Sequence, residues 1–236
     1  MIHVYYHIAQ MGQWKEVVSE QMTRLKESGL YDEAVKIHVG VVGNQGRISD
    51  LPEKCEIMFH NPILGYGEVP TLEALRQHAL KIGPLMFAPE DFETLYIHTK
   101  GVSWREQCYD KDALAAWRKY MEYFCIDKWK ECLARFSDYN VIGCEYVKER
   151  TTSKGPFPGH FRGNFWWSRS EYLRTLPRVI NVSIPSTELR RKGEYWIGSG
   201  SNFNPFSLFN LDGECGKRGW LYNHVLDPRI YMGEPT

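Results

Sequence analysis

The run Glu93-Thr94-Leu95-Tyr96-Ile97-His98-Thr99-Lys100-Gly101 joins a β-branched and aromatic strand to a polar tip and a glycine. In an open α/β sheet, ligands bind just beyond the carboxyl ends of the strands. A strand ending in His98, Thr99 and Lys100 therefore offers donors and a cation where a ligand would sit, and Gly101 lets backbone come close to it. Such a tip can neutralise a diphosphate without a metal, because fixed cations do for developing phosphate charge what Mg²⁺ does. The plain alternative is a strand that ends in a solvated turn, with Lys100 in water.

A second constellation is His160-Phe161-Arg162-Gly163-Asn164-Phe165-Trp166-Trp167. Read as one strand, alternation puts His160, Arg162 and Asn164 on one face and Phe161, Gly163 and Phe165 on the other. Each polar group of such a face must find a partner. The paired tryptophans send one ring to each side, one to the core and one to serve as a wall for a sugar ring; two core tryptophans are the alternative. The third is Glu194 in Gly193-Glu194-Tyr195-Trp196-Ile197, where nearby apolar rings would raise a carboxyl pKa into the range of a general base. It follows Arg190, Arg191 and Lys192, so a surface ion pair is equally open. Its rival Glu188 reads as a first-turn helix carboxylate.

What is missing narrows the chemistry. There is no G-x-x-x-x-G-K-[ST] loop, no G-x-G-x-x-G after the first strand, no G-x-S-x-G elbow and no H-E-x-x-H. The first three gaps weaken nucleotide-hydrolase, dehydrogenase and serine-esterase readings, the eight histidines are scattered, and a phosphate-ester hydrolase lacks both nucleophile motif and clustered ligands. Lys plus Arg equals Asp plus Glu, at 29 each, so no overall field favours nucleic acid or an anionic membrane. The 8 Trp, 14 Tyr and 11 Phe supply core area for the larger part, and can also make stacking walls for sugars and bases. The 6 cysteines show no C-x-x-C pair or zinc spacing, and no signal-peptide pattern or spanning apolar run occurs. A reduced, cytoplasmic, soluble protein without a transmembrane segment is the expectation.

The elements that must position these residues follow from periodicity. Ile2 to Ile8 reads as a strand; Trp14, Val17, Val18, Gln21, Met22 and Leu25 as a helix closed by Gly29; Ala34 to Val42 as a second strand ending in Gly43-Asn44. Cys55 to His60 gives a third strand, Thr71 opens a helix running to Ile82, and Thr94 to His98 is the fourth strand. Strand and helix thus alternate, as in a doubly wound sheet. Asp112 to Phe136 is helical with a possible break near Asp127, and Cys125 and Cys132 should share its buried face. Val141 to Tyr146 and His160 to Trp167 read as strands five and six. Ser168 and Glu171 have capping-box spacing, and Pro185-Ser186-Thr187 opens a helix through Leu189. The remainder reads as irregular β and loop. The expected architecture is α/β: a single Rossmann-like domain over 1–236 with a mixed, mostly parallel sheet flanked by helices.

Taken in this order, the pieces resemble a glycosyltransferase of GT-A-like fold, distantly similar to rhamnan-synthesis-type transferases and viral or bacterial surface-glycan transferases. The resemblance rests on Leu95-Tyr96-Ile97-His98-Thr99-Lys100, Val4-Tyr5-Tyr6-His7-Ile8-Ala9 with Trp14, Gly40-Val41-Val42-Gly43, and Glu68-Val69-Pro70-Thr71-Leu72. It continues in Gly163-Asn164-Phe165-Trp166-Trp167 with Tyr172-Leu173 and Leu176-Pro177, then Glu194-Tyr195-Trp196-Ile197. It implies transfer of a sugar from a UDP-, GDP- or dTDP-sugar to a saccharide acceptor in surface or virion glycan synthesis. The resemblance also implies a nucleotide-binding half over 1–100 and an acceptor-side half over 101–236. A catalytically inactive glycan- or nucleotide-binding module on the same fold is the alternative. Tyr6, His7, Ile8, Gly43 and Asn44 would hold the donor base and ribose, and His98, Thr99 and Lys100 the diphosphate. Glu194 would be the base; His160, Arg162, Asn164, Trp166 and Trp167 would face the acceptor. The Asp-x-Asp with which many relatives hold Mn²⁺ is absent at the fourth strand end, so no metal is assigned and none is expected to be required. His224, in Tyr222-Asn223-His224, has no carboxylate partners in sequence and stays unassigned.

Overall fold

The computed structural model describes residues 1–46, 48, 51–81, 90–102, 110–217 and 219–233. Among these, seven strands form one mixed sheet: β1 (Ile2–Ala9), β2 (Ala34–Val42), β3 (Cys55–Asn61), β4 (Glu93–His98), β5 (Val141–Gly143), β6 (Trp166–Arg169) and β7 (Pro205–Ser207). Their spatial order is β7-β5-β6-β4-β1-β2-β3. β1, β2, β3 and β4 are mutually parallel, β6 runs antiparallel to both β4 and β5, and β7 is parallel to β5. The chain is thus α/β with a mostly parallel mixed sheet, and β6 stitches its two halves together.

Strand alternation decides what each face meets. In β1, Val4, Tyr6 and Ile8 enter a core built with α1 (Trp14–Glu27), while Tyr5 joins a second core on the opposite face with α2 (Val69–Leu80). The first core continues under α3 (Lys111–Glu122) and α4 (Trp129–Ala134), and the second under α5 (Ser170–Leu173) and α6 (Leu189–Trp196). Sandwiching both faces in this way is what parallel strands require. Cys125 and Cys132 are both buried on the inner side, as their spacing predicts. No helix among the described residues is long and apolar enough to cross a membrane.

The long helical pattern is interrupted, with a π-turn over Tyr123–Asp127 between α3 and α4. Two glycines fix close approaches. A Cβ on Gly40 would lie 2.2 Å from Thr71 Oγ1, so β2 and the start of α2 pack directly. Gly163 has φ of 85° and a Cβ there would lie 2.2 Å from Met121 Sδ.

Several expectations need correction. α2 begins at Val69, with Pro70 in its first turn where its missing N–H is harmless, rather than at Thr71; Ile82 lies outside the described residues, as does Cys108. The strand expected over Val141–Tyr146 stops at Gly143, and Tyr146–Val147 pairs separately with His160–Phe161. Residues 160–167 are two strands, not one. Gly163 and Asn164 both have positive φ, which turns the chain between Phe161 and Trp166 and removes the single polar face. Ser168 is not a cap: it lies inside β6, paired with Thr94, and α5 starts at Ser170 without a side-chain cap. Glu194 belongs to α6 itself, which runs from Leu189 through Trp196.

Candidate active site

The carboxyl ends of β1 and β4 floor a cleft of about 720 Å³, walled by the α2 entry and by α6. A smaller pocket of about 160 Å³ opens beside it, between the Arg150–Gly163 segment, Tyr195 and Tyr222. Lys100, Gly163, Glu194 and Tyr222 line both, so the two spaces meet at these residues.

Lys100 is 8% exposed, with Nζ 4.0 Å from the Trp117 ring centroid and 5.9 Å from that of Tyr222. Aromatic faces attract a cation but replace little of its hydration. Burial accordingly brings its pKa down to about 8; the carboxylate charge of Glu194 opposes the fall, Arg190 adds to it and Glu68 opposes it. The tip is braced from beneath by a buried network. Gln21 Nε2 donates to the His98 carbonyl at 3.3 Å and to Glu122 Oε1 at 2.8 Å, and Tyr6 Oη donates to Gln21 Oε1 at 2.6 Å. Arg118 donates to the Lys100 carbonyl at 3.3 Å while its Nε faces Glu122 at 3.3 Å.

His98 is not a cation in this setting. Its Nε2 donates to the Gly163 carbonyl at 2.8 Å, and burial first, then the Lys100 charge, lowers its pKa to about 3. The neutral ring ties β4 to the Gly163–Asn164 turn and leaves Lys100 to carry the positive charge of the tip. Thr99 acts similarly: its Oγ1 accepts from the Ala9 amide at 3.0 Å and its own amide donates to the His7 carbonyl at 3.0 Å, locking the tips of β1 and β4. His7 lines the cleft with Nδ1 2.8 Å from Thr71 Oγ1, and burial keeps it neutral, with a pKa near 4.

Glu194 approaches from α6 and faces both spaces. Its side chain is 35% exposed, with Arg190 at 3.9 Å one turn earlier. Burial at the cleft wall raises its pKa; Lys100 counters this, Glu68 reinforces it and Arg190 counters it. That direction suits a carboxylate that must take a proton.

The structure brings together His7, His98, Thr99, Lys100, Asn164 and Glu194 around the larger cleft, with His160, Arg162 and Glu194 at the smaller pocket. Others fall elsewhere. Tyr6 and Ile8 are fully buried on the opposite face of β1, as the alternation about His7 demands. The rim near β2 comes from Val42; Gly43 is occupied with Asn61 and His60, and Asn44 is exposed outside the cleft wall. Trp166 and Trp167 are both fully buried, since β6 is an interior strand with a core on each face. Trp167 Nε1 donates to the Cys125 carbonyl in the π-turn, and Trp166 Nε1 donates to Asn164 Oδ1 at 2.8 Å. Neither is a sugar wall. Arg162 spends one guanidinium nitrogen on the Gly216 carbonyl at 2.8 Å and on Glu145 at 3.4 Å, and His160 packs on Tyr195 with centroids 4.4 Å apart.

Sequence reasoning missed Glu68 as a site residue. It precedes α2, is 8% exposed, and accepts from Tyr96 Oη at 2.9 Å and from Asn164 Nδ2 at 2.5 Å, with His98 Nε2 at 3.9 Å. It anchors the turn at Asn164 to β4. The one available signal was its place in the Glu68-Val69-Pro70 segment at a helix start, since its partners lie 28 and 96 positions away. Arg190, on α6 at the cleft rim, was likewise passed over. Glu68, Glu188 and Glu194 all line the cleft, yet their oxygens do not gather: among the described residues the one cluster with metal-ligand convergence is His3, His38 and His78.

No family model matches the sequence, and no curated protein matches it.

Proposed function

We propose that this protein is a glycosyltransferase that moves a sugar from a nucleoside-diphosphate donor to a saccharide acceptor in surface-glycan synthesis, in the cytoplasm. One observation carries the reading: a buried lysine and a carboxylate of raised pKa sit together where a larger cleft meets a smaller pocket. The larger cleft suits the donor and the smaller pocket the acceptor sugar. The acceptor hydroxyl at their junction gives its proton to Glu194 as its oxygen attacks the anomeric carbon. The bond from that carbon to the diphosphate oxygen breaks, and its electron pair leaves on a phosphate oxygen held by the Lys100 ammonium. His7, His98 and Thr99 position the floor. A cleft beyond the carboxyl ends of a mostly parallel sheet, where open α/β sheets bind their ligands, supports this reading.

A binding module without turnover is the second reading, favoured by the Arg190–Glu194 contact at 3.9 Å, which engages the same carboxylate. A panel of UDP-, GDP- and dTDP-sugars, tested for binding and then for nucleoside-diphosphate release with saccharide acceptors, separates the two. Glu194→Gln should keep donor affinity and lose transfer by about 100-fold or more, the usual worth of a general base. Donor bound by the wild type but never consumed would establish the module. Donor bound by neither protein would end the transferase reading and the nucleotide-binding form of the module, and binding of neither donor nor saccharide would end both readings.

A further inference from the structure

Toward the other end of β1 from the cleft, three imidazoles from three elements converge: His3 on β1, His38 on β2 and His78 on α2. One ring nitrogen from each lies within 4.8 Å of the others. The ring centroids are 5.1, 4.9 and 5.4 Å apart. Three histidines on a tetrahedral zinc, with Zn–N bonds of about 2.0–2.1 Å, place their ring centroids roughly 5.2 Å from one another. We infer that His3, His38 and His78 form a binding site for a borderline divalent transition metal, Zn²⁺ foremost, with solvent in the fourth position.

The surroundings support ligation. Tyr5 Oη lies 2.7 Å from His78 Nδ1, a contact of the kind by which an outer partner orients a ligating ring. Tyr5 also stacks on His38, and Phe92 on His78, each at 4.6 Å between centroids. His3 Nδ1 and His38 Nε2 share a hydrogen bond of 3.0 Å, which two metal bonds would replace. His3 is buried, whereas His38 and His78 are half-buried, which leaves an entry path.

Ligation takes the neutral imidazole, so the charges around the three rings matter. The neighbouring cations are the Met1 amine, Lys36 and Lys81. The first pairs with Glu93 at 3.3 Å and the second with Glu56 at 2.7 Å. Glu56 and Glu90 are the acids that act on the rings. Two of the three cations are thus paired with carboxylates, which limits their repulsion of a bound metal ion.

The test is titration of untagged full-length protein with Zn²⁺ by calorimetry and with Co²⁺ by visible spectroscopy. One equivalent should bind, with the intense visible bands of four-coordinate Co²⁺ and no thiolate charge-transfer band. His38→Gln and, separately, the half-buried His78→Gln should each weaken binding at least 100-fold and abolish the bands. Tyr5→Phe should weaken it about 10- to 100-fold, as loss of an outer partner does. Absence of stoichiometric uptake by the wild type, or wild-type affinity in either folded histidine variant, would overturn the assignment.

Discussion

Lys100→Met is expected to stabilise the fold while removing the cation on which the proposed diphosphate site depends. The side chain is 8% exposed, and its pKa falls from 10.5 to about 8, chiefly through burial. At 1.36 kcal/mol per unit, holding the ammonium protonated in the folded state costs about 3 kcal/mol. Against this stands the contact with Trp117 at 4.0 Å, worth about 2 kcal/mol for a desolvated cation. Methionine keeps the reach of the stem and recovers about 1 kcal/mol through sulfur–aromatic contact. The balance is a gain of roughly 2 kcal/mol near pH 7, or roughly 4–8 °C in Tm for a chain of this size.

The pH dependence gives the sign. Below pH 8 both folded and unfolded wild type hold the Lys100 proton, so the full penalty applies. Between about 8 and 10.5 the unfolded chain keeps the proton that the folded chain has released, so wild-type stability rises with pH. The advantage of Lys100→Met must therefore be largest at pH 7 and shrink by pH 9.5, measured by urea unfolding of both proteins. Added nucleoside diphosphate should raise the Tm of the wild type alone. A variant no more stable than wild type at pH 7, or a gap that ignores pH, would refute the claim that Lys100 is held charged at a cost.

Two further outcomes follow from the same geometry. If transfer occurs, kcat/KM against pH should be bell-shaped, with an acid limb above the ordinary carboxylate range from Glu194 and an alkaline limb near 8 from Lys100; a flat profile from pH 5 to 9 would exclude both as titrating participants. Gly163→Ala should destabilise by about 1–3 kcal/mol in urea unfolding, because its Cβ meets Met121 Sδ at a φ of 85°. Under the proposed function it should also weaken donor binding, by moving the carbonyl that holds His98.

How far the sequence reaches depends on how local the cause is. The alternation through β4 and the position of Lys100 were legible because each strand and helix carries its own period. The same rule, applied to Tyr6-His7-Ile8, would have separated His7 from its neighbours, since three consecutive strand residues cannot all face one ligand. The break inside 160–167 was written in Gly163-Asn164, a turn dipeptide, and was hidden by the aromatic residues around it. The fate of the tryptophans was not local at all. Whether Trp166 and Trp167 meet solvent depends on β4 and β5 flanking β6, on strands about 25 to 70 positions earlier. Glu68 is the sharpest instance. A carboxylate before a helix ordinarily faces solvent or caps its own backbone, yet here Tyr96 and Asn164 draw it inward, and it makes no cap. The side chains that build the site are therefore of two kinds. Those at strand ends are announced by their own segment. Those that brace them, Glu68, Asn164, Gln21 and Arg118, are chosen by what the fold brings against them.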